Sequence, residues 1–428
     1  MEQTFLTELR IEKVRHLRNI TIPLSKTKRK NLILTGKNGS GKTSVLWALA
    51  NEINLLAMFP SDFYSMSNED KVSFLREFIF GNDPRKSDRF RSATESLFSS
   101  NDKDTKHYID ALNSMRNAIS SLPNDFFAFD FSIHFNDLIG LNSKFSNGQF
   151  VLAYYGDNRK LDIVKVDHIE KVKLKPYYGI AEKPSIELGK YLADLELTKS
   201  MAQTRNNTER AAQIEEWFNR FENILRRIYG EPSLKLDFNI DTFQFSILIE
   251  GRDPFDFSTM SMGYAAVFDI VADLMMRMES KHTYDLEGIV LIDEIETHLH
   301  VELQRQIVPI LTELFPNIQF ILSTHSPFIL NSAPNAVIYD LEKHMLVKDG
   351  MEKLSYEGIV EGYFEVDRFS QKLRKYFEEY KQLVTSESLS DLDYARIAEL
   401  EDYLDEVPDY LALDFAHEYS RLKAEFDS

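Results

Sequence analysis

The run Gly36-Lys37-Asn38-Gly39-Ser40-Gly41-Lys42-Thr43-Ser44 carries the spacing G-x-x-x-x-G-K-[ST] at every fixed position. These residue types suit capture of a polyphosphate. Glycines at 36, 39 and 41 let the main chain wrap an anion, so the N–H groups along Lys37, Asn38, Ser40 and Ser44 meet negative charge. Lys42 supplies a cation for the β- and γ-phosphates, and the Thr43 hydroxyl is a ligand for Mg²⁺. Asp293 and Glu294 end the apolar run Ile289-Val290-Leu291-Ile292. Asp293 suits Mg²⁺ held through water, and Glu294 suits the general base that polarises water attacking the γ-phosphate. His325, in Ser323-Thr324-His325-Ser326-Pro327, leaves the next apolar run and can donate a hydrogen bond to the same phosphate. Ser261 and Gly263 open a helix and form a second anion site. Each group has a blander reading on its own, as turn, solubilising acid, structural histidine or helix cap. Their order along the chain favours the chemistry.

The elements that must position these groups follow from periodicity. Asn31–Thr35 is a short apolar strand and Val45–Ala50 reads as helix, placing the glycine loop between strand and helix. Leu6–Val14 and Ile20–Leu24 look like strands joined by Arg15–Asn19. Phe126–Phe135, Gln149–Tyr155, Val166–Lys175 and Phe238–Ile249 also read as strands. From Gly189 to Tyr229 the pattern is helical, with Ile214, Trp217, Phe218, Phe221, Ile224, Leu225 and Ile228 on one stripe that is core rather than site. Met260–Met278 reads as loop into helix, Gly288–Asp293 and Gln319–Ser323 as buried strands, and Val301–Phe315 as the helix between them. Short β-branched strands separated by helices predict a mainly parallel α/β sheet.

The ordered set, phosphate loop, S-x-G opening a helix, strand plus Asp-Glu, strand ending in His, resembles the ATP-binding-cassette (ABC) ATPases. Met260-Ser261-Met262-Gly263-Tyr264 stands where that family has its L-S-G-G-Q signature, and its departures at Met260, Met262 and Tyr264 are similar to the SMC/RecF branch. The stretches DEIETHLH (Asp293–His300) and STHSPF (Ser323–Phe328) are similar to the overcoming-lysogenization-defect and Septu-type anti-phage ATPases. The resemblance implies an ABC ATPase head, that is, a mainly parallel P-loop sheet with an antiparallel β subdomain and a helical lobe, followed here by a C-terminal helical appendage. It also implies that two heads meet face to face, each ATP lying between one chain's phosphate loop and the other chain's Ser261 and Gly263. The family's Q-loop glutamine has no counterpart. Tyr154-Tyr155-Gly156-Asp157-Asn158-Arg159 occupies its place, with Asn158 a candidate Mg²⁺ or water contact. His298 and His300 read as partner-packing residues rather than metal ligands.

The chain has 428 residues, no cysteine and a net charge of −18. Disulfides, thiol nucleophiles and Cys-zinc sites are excluded, and a cytoplasmic location is expected. The charge argues against broad DNA coating, leaving DNA to a partner or to local basic patches such as Lys26–Lys30. No apolar run is long enough to cross a membrane. The expected organisation is ATPase lobe I over 1–59, a helical or mobile insertion over 60–125, antiparallel strands and a helical lobe over 126–250, ATPase lobe II over 251–345, and an acidic helical appendage over 346–428. Between Ser388 and Ser420 ten Asp/Glu face the single basic Arg396, and apolar helical faces there need a cover, so assembly or docking is the expected role. Three functions compete. The first is the ATPase subunit of an anti-phage defence system acting as a homodimer or higher oligomer with a separate HNH-type nuclease. The second is a RecF/SMC-like repair ATPase touching DNA directly. The third is a single-chain Toprim nuclease, using Glu361, Asp391 and Asp393. The helical texture of the last stretch speaks against the third, and the signature departures speak against a transporter.

Overall fold

A computed structural model describes residues 3–58, 130–363 except 160, 165 and 167, 371–405 except 387, and 413–426. The expected insertion over 60–125, the start of the strand expected from Phe126 and the Pro408 break lie outside the described residues. The chain divides into two compact units, Met1–Lys353 and Leu354–Ser428.

In the first unit β1 (Leu6–Val14) and β2 (Leu17–Pro23) form a hairpin. Val14 pairs Leu17, so the turn is only Arg15-His16, with Arg15 at φ 52°. The expected five-residue connection shortens because Leu17 is buried in the core and draws its backbone into the ladder. β3 (Asn31–Thr35) feeds the phosphate loop and α1 (Lys42–Met58). β4 (Asp130–Phe135), α2 (Leu138–Ser146) and β5 (Phe150–Tyr155) follow. No strand forms over Ile169–Lys175. This segment is instead tied down by Lys171 Nζ, 3.0 Å from the buried Asp194 carboxylate.

The helical stretch is two helices, α3 (Leu188–Thr204) and α4 (Thr208–Tyr229). The break has a local cause: Asn206 adopts φ 57° and the Asn207 side chain caps α4 by accepting from the Arg210 N–H. The single strand expected over Phe238–Ile249 is likewise a hairpin, β6 (Lys235–Asn239) and β7 (Gln244–Leu248), turned by Asn239 Oδ1 accepting from the N–H groups of Asp241 and Thr242. Short β8 (Phe255–Asp256) leads into α5 (Met262–Glu279). Then come β9 (Glu287–Ile292), α6 (Val301–Leu314), β10 (Ile318–Ser323), α7 (Pro327–Ser332), β11 (Ala336–Asp340) and β12 (Met345–Val347).

The central sheet has the order β12-β11-β3-β10-β9-β5, parallel except for β12. Its inner strands read as continuous apolar runs because both faces are covered, as a parallel sheet requires. Two antiparallel sheets, β2-β1-β4 and β6-β7-β8, complete the α/β head anticipated from the sequence. One core joins Leu32, Leu34, Leu291 and Ile321 of the large sheet to Val45, Leu49 and Ile53 of α1 and to Phe145 of α2.

α5 carries an unusual buried polar row. Asp269 lies 3.3 Å from Lys183 Nζ, and burial pushes its carboxyl up to about 6. Asp273 accepts from the Tyr155 hydroxyl (2.6 Å) and pairs with Arg277 (2.7 Å). Arg277 also donates to the Leu152 carbonyl on β5. Glu279 accepts from Tyr191, Trp217 and Tyr284. Each buried charge is hydrogen-bonded, which ties the helical lobe to β5. The basic turn before β3 is partly structural: Arg29 donates to the Pro316 carbonyl and Lys30 to Asp349, while Lys26 and Lys28 are exposed.

In the second unit, helices α8 (Gln371–Val384), α9 (Asp391–Asp405) and α10 (Leu413–Phe426) bury their apolar faces on one another. Phe377, Tyr380, Ile397, Leu400, Leu404, Tyr419 and Leu422 make that core. These faces therefore have their cover within the unit and do not by themselves call for a partner. Asp391 and Asp393 sit in the first turn of α9, where the Asp393 carboxylate accepts from the Ser390 N–H and hydroxyl, a capping role rather than a metal one.

Candidate functional site

Because β3, β10, β9 and β5 are parallel neighbours, their carboxyl ends lie along one edge, where open α/β sheets bind ligands. The phosphate loop leaves β3, Thr324-His325 leaves β10, Asp293-Glu294 leaves β9, and Gly156–Arg159 leaves β5. Backbone hydrogen bonds knit these exits together. Asp293 N–H donates to the Tyr155 carbonyl (2.8 Å), Ile295 N–H to Ser323 (3.1 Å), and Thr324 N–H to Leu34 (3.1 Å).

In the loop Gly36, Gly39 and Gly41 adopt φ of 132°, 83° and 99°, which other residues take only under strain. A side chain at Gly36 would also press on Ser40, whereas Gly39 faces open space. Lys42 is buried and its ammonium donates to the Gly36 (2.8 Å) and Lys37 (3.2 Å) carbonyls. Burial lowers its pKa, opposed by the charges of Glu294, Glu296, Asp293 and Asp340. Ser40 Oγ is buried with no hydrogen-bond partner, and Thr43 is exposed. Lys37 pairs with Glu342 (2.9 Å) outside the loop, while Asn38 is exposed and Ser44 buried at the start of α1.

Asp293 is buried, with Oδ1 accepting from the Ser323 hydroxyl, and Ser323 Oγ in turn accepts from the Glu294 N–H (2.7 Å). Glu294 holds φ 44°, and its carboxylate comes 3.7 Å from His325 Nε2. That ring nitrogen is buried and makes no hydrogen bond. The backbone N–H of His325 donates to Glu296. Gln304 joins the two exits by accepting from Ser326 Oγ (2.6 Å) and donating to the Leu299 carbonyl (2.8 Å).

Ser261 is the N-cap of α5 and is exposed, as is Met262. Gly263 lies against the next exit: a Cβ there would sit 3.1 Å from the His298 carbonyl. His298, at φ 68°, and His300 are exposed on that turn. Tyr264 stacks on Tyr229 at 4.2 Å and 16°, fixing the first turn of α5 to the helical lobe.

The structure brings together the phosphate loop, Asp293, Glu294 and His325. Asn158 stands exposed on its turn, and the next residue, Arg159, is the one that turns inward. Its guanidinium donates to the carbonyls of Asp293 (2.7 Å), Glu294 (2.8 Å) and Ile295 (3.3 Å). Sequence reasoning passed over Arg159 and Ser323 as site-builders and held Glu296 only as the next candidate base after Glu294. A lone arginine four residues past a buried strand was the available signal.

The profile of one protein family, described as "AAA domain, putative AbiEii toxin, Type IV TA system", matches residues 54–331, more than half of the chain. A "Retron Ec83 probable ATPase" of Escherichia coli is 34% identical over 147 residues, 32% of this chain and 27% of that protein. A "Septu protein PtuA" of Bacillus mycoides (strain KBAB4) is 32% identical over 154 residues, 34% of this chain and 22% of that protein. The match thus spans about a quarter of the length of these relatives. Among solved structures an SMC head bound to the C-winged helix domain of ScpA aligns at 14% identity and a TM-score of 0.39, covering 82% of this chain and 98% of that one.

Proposed function

The chain belongs to this AAA-domain ATPase family, and from that premise we propose that it binds and hydrolyses ATP as a switch that closes by head-to-head dimerisation. The observation that carries the reading is the convergence of the phosphate loop, Asp293, Glu294 and His325 on the ends of neighbouring parallel strands. The glycine cradle and the unpartnered Ser40 Oγ fit a polyphosphate, and Lys42 exchanges loop carbonyls for phosphate oxygens. Thr43 and Asp293 fit Mg²⁺, which when bound neutralises charge on the phosphates; Asn158, exposed on its turn, is a third candidate. Among the described residues no three His, Cys, Asp or Glu cluster as a metal site. Glu294 orients and deprotonates the attacking water, and His325, next to it, donates toward the γ-phosphate. The exposed Ser261 and Met262 at the α5 N-terminus, with half-buried Gly263 against the His298 turn, serve the partner's ATP.

The names of the relatives, a retron ATPase and a Septu protein, support a role in anti-phage defence, with a separate nuclease as the effector. The same reading places the protein in the cytoplasm. No helix among the described residues is long and apolar enough to cross a membrane. With Arg29 and Lys30 engaged internally, direct DNA binding through the Lys26–Lys30 turn loses support.

Glu294→Gln tests the mechanism. The amide preserves size, so ATP binding is expected to survive while hydrolysis falls roughly 10²–10⁴-fold, leaving ATP-bound dimers that persist in light scattering. Wild-type turnover in this variant overturns the assignment.

A further inference from the structure

We propose that Arg159 is a positioning residue for hydrolysis: its guanidinium holds the Glu294 peptide in the conformation that aims the carboxylate. The inference rests on the reading of Glu294 as the base. Glu294 adopts φ 44°, a left-handed conformation disfavoured for any side chain with a Cβ. Such a residue persists only where its surroundings over-determine it. Here they do. On the N–H side Ser323 receives the Glu294 amide through its hydroxyl (2.7 Å) and the Ile295 amide through its carbonyl (3.1 Å). On the carbonyl side Arg159 donates to all three consecutive oxygens of the turn, those of Asp293, Glu294 and Ile295. With both faces of the peptide pinned, the Glu294 side chain is left to project toward His325, 3.7 Å away.

The chemistry favours arginine specifically. A planar fork of donors can serve several carbonyls at fixed angles, whereas an ammonium is a single point. Arg159 is 5% exposed, and every hydrogen bond of its guanidinium runs to a main-chain carbonyl, the fourth being Gly156 at 3.2 Å. Burying a guanidinium without a carboxylate partner in hydrogen-bond range is costly, and burial indeed lowers its pKa. The return is a rigid turn. Arg159 leaves β5, and β9 and β10 lie between that strand and β3, so its contacts bear on the base and not on the phosphate loop.

Losing the fork frees the turn to relax toward φ below zero, which swings the carboxylate without disturbing Lys42. Arg159→Met is therefore expected to lower kcat at least 10-fold with ATP affinity nearly unchanged, the thermal midpoint falling as the turn's carbonyls lose their donor, and Arg159→Lys to restore part of the loss. The decisive readout is the double variant. If Arg159 acts through Glu294, Arg159→Met makes the residual single-turnover rate of Glu294→Gln no slower. Equal fold losses in both backgrounds, or parallel losses of affinity and kcat, assign Arg159 a general structural role and overturn the proposal. So does normal kcat in Arg159→Met while Glu294→Gln is slow. Should Arg159→Met fail to fold, Arg159→Lys carries the same comparison. If Glu294→Gln itself turns over normally, the base assignment has failed, and the positioning role falls with it.

Discussion

In the proposed function Lys42 is the residue on which nucleotide binding turns. Its ammonium already sits buried among loop carbonyls, so phosphate oxygens replace acceptors of the same kind without moving the chain. Lys42→Ala removes a charge-assisted contact and leaves the Gly36 carbonyl unpaired, and calorimetric titration is expected to show no ATP binding. Asp269 gives a prediction in pH. Its folded pKa of about 6 exceeds the ordinary carboxylate value, so the folded state holds the proton more tightly than the unfolded chain. Its contribution is therefore most favourable below about pH 4 and is lost as pH rises through 6. Asp269→Asn removes the titration: relative to wild type the variant gains roughly 2–3 kcal/mol between pH 4 and pH 8, read as a difference in denaturant midpoint, variant minus wild type, that grows with pH. At this scale the sequence was legible where a residue belongs to a spaced motif, as Lys42, Asp293 and Glu294 do. Arg159 was illegible because its role lies in hydrogen bonds to backbone some 135 positions away, and no local pattern records them.

At the scale of elements, the buried strands were readable because both faces are apolar, so each stands out as a short continuous apolar run rather than an alternating one. Boundaries were read poorly wherever a polar side chain bends the backbone. Asn207 ends one helical pattern and Asn239 turns one apparent strand into two. The Tyr264 departure in the signature also has a structural cause, its stack on Tyr229, which fixes the helix opening where the family's glutamine would stand. The exposed Ser261 then makes the cleaner probe of action in trans. Ser261→Arg is expected to retain ATP binding and to lose hydrolysis, and mixing it with Lys42→Ala protein to recover one working composite site. Normal turnover by Ser261→Arg alone would mean that the signature does not serve a partner. Gly263→Asp is a poorer test, since its side chain meets the His298 carbonyl and Leu303 within the same chain.

At the scale of the molecule, the sequence marked an acidic helical tail but misjudged its apolar faces, which helical spacing reveals without saying what they pack against. Those faces form a core of their own, centred on Tyr380 and Leu400. The unit boundary follows Lys353. A chain ending there is expected to bind ATP with affinity within about threefold of the full chain, since no candidate nucleotide-binding residue lies beyond it; light scattering and partner capture then report whether residues 354–428 serve assembly. A tenfold or greater loss of ATP affinity would make the second unit part of the nucleotide site.

The strand order has a consequence for biosynthesis. β3 lies between β10 and β11 and bonds to no other strand of its sheet. While the ribosome is still making the middle of the chain, the strand that carries the phosphate loop has no hydrogen-bonding neighbour, and loop closure across so long a segment comes late. The nascent protein reaches the end of its first unit before its nucleotide pocket exists. Until Asp340 has been made, the apolar Leu32-Ile33-Leu34 lacks the native strand partners that cover its backbone.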